Sequence, residues 1–274
     1  MVMKRLKNRL SLAAAGLLSL GLAACAYNEE LGRNQLLFGA SPQQMAQAAS
    51  GAWNDIKRQQ RVSNDPRYTS RLNRVAPKII RAAGGNPAEW EYLVFASDDL
   101  NAFALPGGKI GIYTGIMDIM ENDAQLAAVV GHEVGHVNYR HAAERSSQGM
   151  LAQLGLAAVT IAGASQCSGS QSAAERQSCE QRAGMMVQAF GLGAVYGAIL
   201  PYSRTHELEA DSGGLRYMVQ AGYNPCEAMD FWRNMANASA GQARPPEFLS
   251  THPASDTRID NLRADARRLG YQCR

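Results

Sequence analysis

The chain carries no large excess of charge of either sign. Its 27 Lys and Arg face 24 Asp and Glu, a formal net charge of +3. Lys4, Arg5, Lys7 and Arg9 sit in an N-terminal segment that reads as a removed signal. Without them, 23 basic residues face 24 acidic ones, close to −1. A nucleic-acid partner wants a strong basic excess, so none is expected. Cysteine is sparse, with 5 in 274 residues and no C-x-x-C spacing, which argues against a Cys-ligated metal site. The apolar runs at 150–165 and 184–200 both fall short of the roughly 20 residues that span a bilayer. No internal repeat and no second core pattern is visible. With 46% hydrophobic and 19% charged residues, the chain can build one sizeable core, and one domain over 42–274 is expected.

What is present begins with the export signal. Residues 1–24 pair a basic start with an apolar stretch from Leu10 to about Leu22. The stretch ends in Leu22-Ala23-Ala24-Cys25, which resembles the bacterial lipobox. That resemblance implies lipidation of Cys25 and attachment to a membrane. Ala26, in place of the Asp that favours inner-membrane retention, points by the same resemblance to the outer membrane, facing the periplasm. A tether is expected over 25–41. Four cysteines remain, an even number that suits an oxidising compartment. Three connectivities are open. Cys167–Cys179, closing a short polar loop, and Cys226–Cys273, tying down the last helix, are favoured.

Ser41-Pro42 reads as a helix start, Ser as cap and Pro at the first position. A second helix over 66–83 carries Leu72, Val75, Ile79 and Ile80 at helical spacing. The period then changes. Residues 91–96, 101–105 and 109–114 read as three strands with a Pro106-Gly107-Gly108 turn before the last. The outer strand, placed at Gly108, Lys109, Ile110 and Gly111, is expected to offer an exposed edge to an extended peptide. A capping box at Asn122 and Gln125 opens the next helix, expected to run to about Gln148. The two apolar runs read as a helical hairpin packed on the domain or shielding the site, with bilayer contact as the alternative. Helices over 203–221, 224–237 and 253–269 complete an α+β, mostly helical chain.

The chemistry lies at His132-Glu133-Val134-Gly135-His136, an H-E-x-x-H pattern within the helix opened by Asn122. Residues four apart share a helix face, so His132 and His136 can both point at one metal ion, with Glu133 in reach of a water on it. A catalytic zinc wants three protein ligands and a water. The H-E-x-x-H-x-x-G-x-x-H frame would supply a third His, but Tyr139 and Ala142 stand at the required Gly and His positions. His141 is one residue out of place and reads as a surface or capping histidine. The third ligand is sought in His206-Glu207-Leu208-Glu209-Ala210-Asp211, where Glu207 and Asp211 share a helix face. One can bind zinc while the other holds a ligand imidazole. Glu209 projects nearly opposite and reads as solvated, and His206 as a surface residue.

H-E-x-x-H followed by a separate E-x-x-x-D helix resembles the zinc metallopeptidases that include the CAAX prenyl protease and the bacterial heat-shock membrane protease. Asn101-Ala102-Phe103-Ala104-Leu105-Pro106-Gly107-Gly108 and Ser250-Thr251-His252-Pro253 with Arg258 extend the likeness over about residues 50–270. It is nearest to the periplasmic lipoprotein members. The resemblance implies a zincin-like fold with a small sheet beside the H-E-x-x-H helix. It implies one zinc ion per chain on His132, His136 and Glu207, with Glu133 as general base and Asp211 behind a ligand. His252 and Arg258 are carried over as catalytic, and His252 would act as fourth ligand of a self-inhibited resting site or as a transition-state group. The implied partners are unfolded or misassembled envelope proteins, the membrane through the lipid anchor, and the outer-membrane assembly machinery. A zinc-containing chaperone or assembly lipoprotein with little turnover is the rival reading. Because no long membrane spans flank the site, work inside the bilayer is not expected.

Overall fold

The computed structural model describes residues 25–168, 172–194, 200–240, 246–253 and 256–273. The signal over 1–24 and the side chain of the lipidation candidate Cys25 lie outside them. The chain divides into two compact units. One combines residues up to Ser41 with 143–199, and the other combines 42–142 with 200–274.

In the first unit the expected tether is a two-stranded hairpin, β1 (Cys25–Asn28) and β2 (Arg33–Leu36). It is held by charge. Arg33 donates to both carboxylate oxygens of Glu144 at 2.8 and 2.9 Å, and Gln35 Nε2 donates to the same group at 3.0 Å. The apolar hairpin follows, with Met150, Leu151, Leu154, Ile161, Met185 and Met186 exposed along it. Its Cys167–Cys179 disulfide forms as expected.

The second unit begins with α1 (Pro42–Gln59) and α2 (Pro66–Ala82). Asp65 caps α2 by accepting from the Arg67 N–H. Leu72, Val75, Ala76, Ile79 and Ile80 form its buried stripe. The sheet holds β3 (Glu91–Phe95), β4 (Ala102–Leu105) and β5 (Lys109–Tyr113) in the order β3-β5-β4. This corrects the expected edge. Lys109, Ile110 and Gly111 lie on the central strand, parallel to β3 on one side and antiparallel to β4 on the other. Gly108 sits in the turn at φ 74°. The physical reason is burial on both faces. Ile110 and Ile112 are fully buried, and the rings of Phe95 and Phe103 close over Gly111, where a Cβ would come within 2.9 and 2.5 Å of them. The outer side of β3 is capped by 61–63, with Ser63 N–H donating to Val94 O and Ala96 N–H to Arg61 O. Among the described residues, no backbone hydrogen bond reaches the outer side of β4.

After α3 (Thr114–Asp118), the chain enters α4 (Asp123–Asn138). Asn122 Oδ1 accepts from Ala124 N and Gln125 N at 2.9 and 3.0 Å. The return bond of the expected box is displaced by one residue, since Gln125 Oε1 accepts from Glu121 N. The helix does not run on to Gln148. It stops at Asn138, Arg140 takes a left-handed φ of 54°, and α5 (His141–Cys167) starts afresh. With 27 residues, α5 is long and apolar enough to cross a membrane by length and composition, which the apolar run 150–165 alone was not. In the first unit α6 (Ala173–Ala194) follows. The second unit resumes with α7 (Leu200–Gln220), α8 (Glu227–Ser239), α9 (Glu247–Thr251) and α10 (Asp256–Arg268).

α4 packs directly on α7, with backbones in contact. A Cβ at Gly131 would lie 3.0 Å from Gly214 O, and one at Gly135 would lie 3.2 Å from Ala210 O. Below them Leu126, Val130, Val134, Leu215 and Met218 join the α2 stripe in one core. Cys226 and Cys273 form the second expected disulfide, tying the chain end to the start of α8 across 47 residues. In the chain-entropy picture a loop of that size is stabilised by about 4 kcal/mol. Replacing both Cys226 and Cys273 with Ser is expected to lower Tm and remove about 3–4 kcal/mol in reversible denaturant unfolding.

Candidate metal centre

α4 and α7 each present two polar residues four apart to the same space. His132 and His136 come from α4, Glu207 and Asp211 from α7, and all four are buried. His132 Nε2 lies 3.0 Å from His136 Nε2 and 3.3 Å from Glu207 Oε2, and His136 Nε2 lies 3.3 Å from Glu207 Oε1. Zinc–ligand bonds of about 2.0–2.1 Å at tetrahedral angles give ligand separations of about 3.3–3.4 Å. The three side chains therefore fit a tetrahedral zinc ion. Two imidazole nitrogens and a carboxylate converging at this distance inside a protein need a cation between them, a proton or a metal.

The supporting groups lie behind the three. Asp211 Oδ1 accepts from His132 Nδ1 at 2.9 Å, which leaves Nε2 as the ring atom facing the cluster. Arg258, from α10, clamps Asp211 in turn. Its Nε donates to Oδ2 and its Nη2 to Oδ1, both at 2.7 Å, while Nη1 lies 3.2 Å from Glu207 Oε2. The guanidinium sits 4.3 Å over the Trp232 ring. His252 follows α9, with its N–H donating to Phe248 O at 2.7 Å. Its ring packs on Phe248, itself stacked on Trp232. His252 Nδ1 is 3.0 Å from both His132 Nε2 and Glu207 Oε2. Its Nε2 lies 3.4 Å from Glu133 Oε1, a buried carboxylate oxygen that accepts no hydrogen bond among the described residues.

Charge is redistributed accordingly. Burial opposes protonation of His132, but hydrogen bonds to Asp211 and Glu207 outweigh it and carry its pKa up to about 9. Burial pushes His136 well below its ordinary value. Burial raises Glu207 and Asp211, yet both end below the usual carboxylate range. The three histidines hold Glu207 down, and Arg258 holds Asp211 down.

His132, Glu133, His136, Glu207, Asp211, His252 and Arg258, proposed from the sequence, thus meet in one buried cluster. The strand residues Gly108, Lys109, Ile110 and Gly111 do not offer the edge assigned to them. Three further residues differ from the sequence-based expectation. His141 and His206 are fully buried rather than on the surface, and Glu209 is hydrogen-bonded to His141 rather than solvated. A continuous α4 would put His141 on another face, and the stop at Asn138 brings it back to His136. A left-handed Arg, unlike a Gly, gives no warning of a helix stop.

A family model described as Peptidase family M48 matches residues 66–266. The mitochondrial metalloendopeptidase OMA1 of Schizosaccharomyces pombe is 32% identical over 191 residues, covering 70% of this chain and 51% of the relative. That of Saccharomyces cerevisiae is 33% identical over 208 residues, covering 70% and 54%. The beta-barrel assembly-enhancing protease of Escherichia coli K12 is 29% identical over 216 residues, covering 77% and 40%. The chain therefore spans about half the length, or less, of these relatives.

A pH dependence follows from the His132 proton. In the metal-free cluster His132 is charged at neutral pH, and a metal must displace that proton. Zinc affinity is expected to rise about tenfold per pH unit up to about pH 9, with a proton released on binding. Calorimetric titration in buffers of different ionisation heat checks this. Affinity independent of pH between 6 and 8 contradicts it.

Proposed function

Because the chain belongs to peptidase family M48, a family of zinc metalloendopeptidases, we propose that it cleaves peptide bonds in misfolded or outer-membrane proteins of the cell envelope. The observation that carries the reading is the convergence of His132, His136 and Glu207 at 3.0–3.3 Å beside the unbonded Glu133 oxygen. A purely structural metal site has no use for a buried carboxylate beside it with an oxygen outside the hydrogen-bond network.

His132, His136 and Glu207 would hold one zinc ion per chain. Bound there, zinc supplies a Lewis acid and lowers the pKa of a water to about 7. Glu133 Oε1 takes the proton of the attacking water and returns it to the leaving amine. Asp211 keeps the proton of His132 on Nδ1, and Arg258 keeps Asp211 charged and oriented. An extended substrate would pair with the outer side of β4, Ala102–Leu105, which packs along α4. Peptide addition there needs no rearrangement of the sheet.

His252 has a double place in this reading. Its Nδ1 lies within 3.0 Å of two of the three ligand side chains, which suits a fourth ligand that closes the resting site. Substrate would have to displace it. The lipobox-like segment, the two disulfides and the similarity to the E. coli protease support a lipid-anchored protein on the periplasmic side of the outer membrane. There the outer-membrane assembly machinery would be a partner.

Glu133→Gln is expected to lower kcat/KM on unfolded envelope proteins by about 10²–10⁴-fold while zinc content is unchanged. Wild-type protein with stoichiometric zinc and no Glu133-dependent cleavage would leave a non-catalytic assembly lipoprotein instead. His252→Ala is expected to raise basal cleavage, measured by release of fluorescent peptide. A loss of cleavage equal to that of Glu133→Gln would make His252 a transition-state group and not a brake.

A further inference from the structure

We infer that Glu209, His141 and His136 form a hydrogen-bonded relay in which the carboxylate of Glu209 sets the tautomer of metal-facing His136 through the ring of His141. The relay rests on the reading that His136 is a zinc ligand. His141 and Glu209 are then positioning residues for the metal centre.

The distances define the chain of bonds. His136 Nδ1 lies 2.8 Å from His141 Nδ1, and His141 Nε2 lies 3.0 Å from Glu209 Oε2. Both histidines are buried. A carboxylate can only accept, so His141 must carry its proton on Nε2. With His136 facing the metal through Nε2, its remaining proton is on Nδ1, and at 2.8 Å this Nδ1–H donates to His141 Nδ1. His136 is left with its lone pair on Nε2, the atom 3.0 Å from His132 Nε2 and 3.3 Å from Glu207 Oε1. The two ends together define the chain of bonds, the Glu209 carboxylate accepting from His141 Nε2–H and the metal-facing Nε2 of His136 leaving its proton on Nδ1. His132 has the shorter version of the same support, directly on Asp211.

The backbone is shaped for this contact. On a continuous helix, a residue five positions after His136 would point about 140° away from it. Ending α4 at Asn138 and turning Arg140 to φ 54° brings His141 back onto the His136 ring, with centroids 5.0 Å apart. A non-Gly residue in this region is uncommon and concentrates at functional sites. His206 stacks on His141 with centroids 4.2 Å apart and planes 16° apart, which holds the ring in orientation. α7 thus reaches His136 from both ends, through Glu207 on Nε2 and through Glu209 and His141 on Nδ1.

His141, His206 and Glu209 also lie close enough to share a metal ion of their own. The geometry favours the relay. Near-parallel stacked rings send their lone pairs side by side and do not aim them at one point, and the bond to Glu209 already engages His141 Nε2.

The test measures zinc affinity of the full chain by competition with a chromophoric chelator, together with the cobalt-substituted absorption spectrum. Tm and circular dichroism of the metal-free protein report the fold. Glu209→Gln and His141→Phe are expected to weaken zinc binding about 10–100-fold, His141→Phe more, and to shift the cobalt bands. His141→Gln, whose amide oxygen can accept from His136 Nδ1, should recover part of the loss. The metal-free Tm of Glu209→Gln should match wild type, which a merely structural role for Glu209 would not allow. Wild-type affinity and spectrum in both Glu209→Gln and His141→Phe overturn the relay and leave the metal centre standing. Two zinc ions per wild-type chain, one of them lost in Glu209→Gln, overturn it in favour of a second metal site. A wild-type chain that binds no zinc overturns the metal centre and the relay together.

Discussion

The site depends on two helices whose backbones touch. Gly131 and Gly135 on α4 meet Gly214 and Ala210 on α7, and a Cβ on Gly214 would lie 2.9 Å from the backbone nitrogen of His132. Helix axes normally stand 8–10 Å apart because side chains separate them. With small residues at the crossing, the short side chain of His132 can meet that of Glu207 at 3.3 Å. Side chains inserted at the crossing would spread a cluster whose usable geometry is defined to tenths of an ångström. Interiors do not deform gradually to absorb such a change.

That closeness concentrates charge, and the fold answers it from its C-terminal end. Glu133, Glu207 and Asp211 are all buried in one place, and unpaired charges there would be costly. Arg258 offsets part of this with a two-point bond to Asp211 and a 3.2 Å approach to Glu207. It is brought in by α10, which precedes the Cys226–Cys273 bridge, so the end of the chain is part of the site's electrostatics. His252 arrives by another route, the turn after α9, anchored by Phe248 in the Trp232 aromatic cluster.

The small sheet shows how pairing decides accessibility. Lys109–Tyr113 has the composition of a strand at an accessible edge, with a Lys at its start and a Gly within it. Parallel pairing with β3 places it in the middle, and its Gly serves to admit two aromatic rings. β4, the outer strand on that side of the sheet, packs against α4. On the proposed function, substrate would lie there, across the helix that carries His132, Glu133 and His136.

Much of the site was legible in one dimension because its chemistry has helical spacing. His132 and His136, and Glu207 and Asp211, are four apart and so share a face whatever the fold around them. Asn122 as a cap and the α2 stripe rest on the same local periodicity, and the disulfides on cysteine number and separation. The central place of β5, the burial of His141 and His206 and the bond from His141 to Glu209 were not legible. Each turns on a partner far along the chain or on a backbone angle that residue type does not announce, as at Arg140. The sequence by itself determined which groups are available and which lie on a common helix face, because helix geometry is set by neighbours within a few residues. Only the tertiary structure decided which faces meet, which strand lies in the middle and which histidine stands behind which, because those depend on long-range packing.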